Sequence, residues 1–114
     1  MRVTVNVTQE HIDNGEKGSG TACPIALCLA DLGITDLYVG QFGLYERHNL
    51  SDGSTLLGER YKVPLDVSMF VGMFDNGIDV KPISFEVYLS EHLISTPVEN
   101  YPVRVDNLVM EEIQ

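Results

Sequence analysis

The run Cys23-Pro24-Ile25-Ala26-Leu27-Cys28-Leu29-Ala30-Asp31-Leu32-Gly33 constrains this chain more than any other stretch. Pro24 suits a first helical position, where its missing N–H costs nothing, and Gly33 suits the residue after a helix, where positive φ is needed. Ile25, Cys28, Leu29 and Leu32 recur at i, i+3, i+4 and i+7, one face of a helix. Ala26, Leu27 and Ala30 make the other faces apolar as well, leaving Asp31 as the polar exception. The pattern predicts a short helix over 24–32, buried nearly all round, with the remaining elements packed about it.

The rest of the chain supplies those elements. Val3, Val5 and Val7 alternate with Arg2, Thr4 and Asn6, a half-buried strand. Thr8 stands as an N-cap before a short helix over 9–14 that Gly15 closes. Residues 37–42 read as a strand, and Tyr45 to His48 as its continuation or its hairpin partner. Asp52-Gly53 marks a turn. Thr55 to Val63 returns as a strand, with Leu57 and Tyr61 as core contacts and Gly58 as a bulge. Pro64 opens a second helix, Leu65 to Asp75, in which Val67, Phe70, Val71 and Phe74 share a face and Asn76-Gly77 ends it. Ile83, Phe85, Val87 and Leu89 alternate in the clearest strand. From Ser90 the sequence turns irregular, with Val103, Val105 and Leu108 suggesting a last edge strand. No repeat or linker divides the chain. The order predicts a single compact α+β domain spanning residues 1–114: two main helices on a mainly antiparallel sheet of four to five strands, with an irregular C-terminal extension.

Composition narrows the function classes. A chain of 114 residues is one domain by length and buries about two-thirds of its unfolded surface. Mean hydropathy of +0.02 and 44% apolar residues fit a soluble globular protein. No apolar run nears the roughly 20 residues of a membrane span, and the N-terminus has no signal-peptide block, so cytoplasm is the expected compartment. The net charge is −10, with 17 acids against 7 bases, which disfavours nucleic acid and anionic membranes and suits a basic partner protein. Asp36, Glu46, Asp52, Glu59, Glu111 and Glu112 supply the acidic surface. Homo-oligomerisation is left open.

Three places invite chemistry. The loop Lys17, Gly18, Ser19, Gly20 and Thr21 runs into Cys23 and a helix start without acids in its first turn, a candidate anion site. It lacks the Gly-Lys-Ser/Thr ending of a P-loop, and a connector capped by Thr21 or Cys23 explains it as well. Cys23 occupies the position that most lowers a thiol pKa, and a nucleophile with His11 and Asp13 can be drawn, although a buried thiol is the commoner use. Cys28 belongs to the core stripe, and cysteines five apart on a helix do not form a disulfide. Cys23, Cys28, His11 and His48 lack paired metal-ligand spacing, so no metal and no cofactor are expected. His92 is expected to face solvent. Met69 and Met73 lie on the helix face away from Phe70 and Phe74, where exposed methionine suits adaptable protein contacts; with Asp52 and Glu59 they are the partner-binding candidates.

Two blocks carry a family resemblance. Val7-Thr8-Gln9-Glu10-His11-Ile12-Asp13-Asn14-Gly15 followed by Cys23-Pro24-Ile25-Ala26-Leu27 resembles the opening of small, mostly uncharacterised bacteriophage and bacterial proteins. Val63-Pro64 through Phe74-Asp75-Asn76-Gly77, running into Pro82-Ile83-Ser84-Phe85-Glu86-Val87, is similar to their second half. Val63 stands where those proteins commonly have Leu, and Ile83 where an aromatic is common. The resemblance covers about residues 1–89, with no counterpart for the extension. It implies a phage or mobile-element setting and no particular reaction. The expected function is therefore a non-enzymatic accessory protein that binds and inhibits or modulates a host protein, a defence protein among them. The alternative is a binder of a nucleotide or other small anionic ligand at the loop and helix start, and a cysteine-dependent enzyme ranks third.

Overall fold

A computed structural model describes residues 1–94. The edge strand expected at Val103, Val105 and Leu108, and the acids Glu111 and Glu112, lie outside the described residues. The elements run β1 (Arg2–Val7), α1 (Gln9–Asn14), α2 (Pro24–Asp31), β2 (Leu37–Gly40), β3 (Gly43–Asn49), β4 (Thr55–Tyr61), α3 (Leu65–Asp75) and β5 (Ile83–Tyr88), followed by a 3-10 turn at Glu91–Leu93. The α+β class holds. Its five strands, all antiparallel, divide between a two-stranded sheet β1-β5 and a three-stranded sheet β2-β3-β4.

Local chemistry sets the helix ends. The Thr8 side chain accepts from the His11 backbone N–H, and the His11 ring returns a bond to the Thr8 backbone N–H at 3.0 Å, a capping box with histidine in the usual Glu/Gln place. With Nδ1 accepting there, Nε2 carries the proton and donates to Asp31 at 2.7 Å, tying α1 to α2. Pro24 is the first residue of α2 and Gly33 follows it at φ +82°. Gly33 N–H donates to Ala30 and Ile34 N–H to Leu29, a Schellman close, and α3 ends the same way through Gly77 and Ile78.

The core contains Val5 and Val7 of β1, Ile25, Cys28 and Leu29 of α2, Leu37 and Leu44 of the second sheet, Val67, Phe70 and Val71 of α3, and Phe85 and Val87 of β5. Helix α2 packs on β1 of one sheet and on β2 of the other, so it joins the two. It is not buried all round, as its sequence suggests: Ala30 and Asp31 are exposed and Leu32 is 39% exposed, because the last turn leaves the sheets and meets solvent. The segment Tyr45–His48 proves to be the hairpin partner of β2. Tyr61 is buried as expected, but Leu57 is 42% exposed and no core contact, since among the described residues no layer covers β4 beyond Tyr61. The bulge is present: Gly58 and Glu59 of β4 together oppose Glu46 of β3.

Candidate functional site

Strand alternation places Glu46 on the face of Leu44, inside rather than on the acidic surface to which its charge assigns it. It is 7% exposed, the one buried charged residue among those described. Three side chains meet its carboxylate. Tyr61 O–H donates to Oε2, His48 Nε2 stands 3.2 Å from Oε1, and His92 Nε2 stands 3.4 Å from Oε2. The Ser90 hydroxyl lies 3.0 Å from the Tyr61 oxygen; the phenol has one proton and gives it to Glu46, so Ser90 donates. The lack of a side chain at Gly58 makes room, because a Cβ there would stand 3.0 Å from His48 Nε2. His92 is exposed, as expected, while holding this contact.

The Tyr61 bond holds the Glu46 carboxyl below its ordinary range against the opposing effect of burial, helped by His92 and His48. Burial and the neighbouring carboxylate push the Tyr61 phenol up. Both shifts run against general acid–base work near neutrality, which wants a carboxyl raised or a phenol lowered. This centre fastens β3, β4 and the segment after β5 to one another. Period-two reading from Leu44 would have found Glu46; nothing local announces Ser90 or His92 as its neighbours.

The Gly-rich loop is tightly engaged. Gly18 N–H donates to the Asp75 carboxylate at 2.9 Å, Ser19 Oγ accepts from Ala22 N–H at 3.0 Å, and a Cβ at Gly20 would collide with the Tyr38 ring. Lys17 and Thr21 are exposed, and Cys23 is buried at the N-cap without a side-chain cap bond. Burial raises the Cys23 thiol, with the nearby Ala26 and Ile25 N–H groups opposing, so the lowered pKa expected for this position is not found. His11 turns to Asp31 and Asp13 accepts from Gln9, so neither activates the thiol. Burial likewise raises Cys28, which donates to the Asn6 carbonyl, and both thiols are free. No group of three or more His, Cys, Asp or Glu side chains among the described residues is arranged to hold a metal ion.

On α3 the two methionines come together. Met69 is 56% and Met73 36% exposed, and with Phe70, Val80, Pro82 and Ile83 they line an apolar groove of about 390 Å³. Asp66, Asp79 and Lys81 stand at its edge. Asp52 and Glu59 lie elsewhere, at the tip and on the outer strand of the β3–β4 hairpin; the Ser54 hydroxyl and N–H lower the Asp52 carboxyl. No helix among the described residues is long and apolar enough to cross a membrane. No protein-family model matches this chain, and neither does any curated protein or solved structure.

Proposed function

We propose that this protein is a non-enzymatic accessory protein, of the phage or mobile-element kind its two sequence blocks resemble, that docks on a host protein and modulates it. The observation that carries this reading is the apolar groove of about 390 Å³ bearing exposed Met69 and Met73. A soluble surface helix ordinarily turns polar side chains outward at such positions, and flexible thioethers adapt to a partner's apolar side chains. With Asp66 and Asp79 at the groove and a net charge of −10, the fitting partner segment is apolar on one face and basic on its flanks. A salt-sensitive association rate follows from that charge. Capture of a small anion by Lys17–Cys23 ranks second, because the Gly18 N–H such a ligand would use already holds Asp75.

The test is affinity capture with the intact tagged protein and with a Met69→Glu/Met73→Glu double variant. Both sites are solvent-facing, so the variant is expected to keep the wild-type melting temperature. The expected result is a host protein retained by wild type, lost in the variant, and eluted by raised salt. Equal capture by both proteins would overturn the groove as the docking surface, and no capture by either would overturn the function.

A further inference from the structure

A second cavity, of about 240 Å³, opens where α2 and the segment after it face the second sheet. Its wall is largely apolar, built by Ala26, Leu29, Ile34 and Leu37, with Thr21 supplying a hydroxyl and Arg47 a guanidinium. Arg47 is the unusual member. Acids outnumber bases 17 to 7 in this chain, yet among the described residues no carboxylate lies within ion-pair distance of Arg47. Its Nη2 donates to the Thr35 carbonyl at 2.7 Å, and its Nε is buried without any hydrogen-bond partner. An arginine fixed only to a backbone carbonyl keeps most of its five donors uncommitted. Thr35 takes one of the two Nη2 hydrogens, so the other Nη2 hydrogen, the Nη1 hydrogens and the orphan Nε–H are left to meet a carboxylate.

We infer that this cavity binds a small carboxylic acid with a short apolar body, its carboxylate on the guanidinium of Arg47 and its body against Ala26, Leu29, Ile34 and Leu37. Because Nε is buried in the free protein, the guanidinium must turn for the orphan Nε–H to meet the incoming carboxylate. An unmade buried hydrogen bond in the free protein becomes a made, charge-assisted one in the complex. The apolar wall selects against a bare hydrated anion, because burying that surface rewards only a ligand with carbon to place there. One cation lines the cavity within a strongly negative protein, which favours a monoanion over a phosphate dianion. The site is separate from the methionine groove and from the Glu46 centre, sharing no residue with either.

The test uses the full chain labelled with 15N, titrated separately with sodium butyrate, butyramide and inorganic phosphate. Butyrate is expected to give saturable shifts at Thr21, Ala30, Thr35 and the Arg47 Nε–H, at least about tenfold tighter than butyramide or phosphate. Arg47→Gln should weaken butyrate by a similar factor, while Arg60→Gln, whose guanidinium donates to the Phe42 carbonyl outside the cavity, should leave it unchanged. Should Arg47→Gln fail to fold, Ala30→Phe fills the cavity from an exposed helix position and is expected to abolish the shifts. Equal binding of butyrate and butyramide, wild-type affinity in either cavity variant, or shifts confined to Lys17–Gly20 would each overturn the assignment.

Discussion

The β1–β5 pair and the outer arm of the β3–β4 hairpin use the same antiparallel pairing and are held together by different physics. In β1–β5 the inward positions Val5, Val7, Phe85 and Val87 are all buried in one core with Ile25 and Leu29 of α2, which packs on β1. The N-terminal ammonium and the Leu89 backbone even extend the ladder past the last paired residues. In the β3–β4 hairpin every residue from His48 to Arg60 is exposed, including Leu50, Leu56 and Leu57. There the register rests on turn chemistry at Asp52–Ser54, on the bulge, and on one polar knot at Glu46 and Tyr61. A long-range strand pair thus depends on apolar burial, and a sequence-local pair tolerates solvent on both faces.

That contrast is broken or sharpened first at Ile25, fully buried in α2 between the sheets. Ile25→Ala removes core volume at the joint and is expected to cost about 2–5 kcal/mol in urea unfolding. A loss below about 1 kcal/mol would mean that α2 does not bear the core as described.

The next largest effect belongs to the polar knot and depends on pH. Tyr61→Phe removes the bond that most depresses the Glu46 carboxyl. A carboxyl whose folded pKa is lowered adds stability above its unfolded pKa, and that stability is lost as pH falls through the folded value. The wild-type advantage over Tyr61→Phe should therefore be full at neutral pH, shrink as acid protonates Glu46, and stay below the Ile25→Ala effect. At high pH the raised Tyr61 phenol works in the opposite sense: its contribution is present below the ordinary tyrosine range and lost as pH rises through the folded value. Unfolding curves from acid to alkali for both proteins would read this, and a pH-independent difference would refute it.

How much of this was legible in the sequence follows the same division. Every element anchored by apolar periodicity or by a helix stop was readable: Val5 and Val7, the Val67–Phe74 stripe, Gly33 and Gly77. Leu57 misled because alternation shows which residues share a face without showing whether anything covers that face. Glu46 misled because charge outweighed period, although Leu44 two residues earlier pointed it inward. The Arg47 cavity and the Ser90 and His92 contacts join residues far apart in the chain, which no local pattern encodes.

Gly33 offers a smaller test on the packed side. Its φ of +82° closes α2, so Gly33→Ala should cost about 1–2 kcal/mol through backbone strain alone, with the m-value unchanged. The smallest effect is expected on the arm. Leu57 pairs across from Arg47 but meets no core side chain, and Leu56 beside it is more exposed still. Leu57→Ser should therefore change unfolding free energy by no more than about 0.5 kcal/mol. Amide exchange would place the same boundary along the chain: the hydrogen-bonded amides of β4 up to Arg60 should exchange far faster than those of β1 and β5, with the step falling at Tyr61. If Leu57→Ser cost as much as Ile25→Ala, or β4 were protected to the level of β1, the arm would have to be covered in solution by protein outside the described residues, and it would no longer differ from β1–β5 in what holds it.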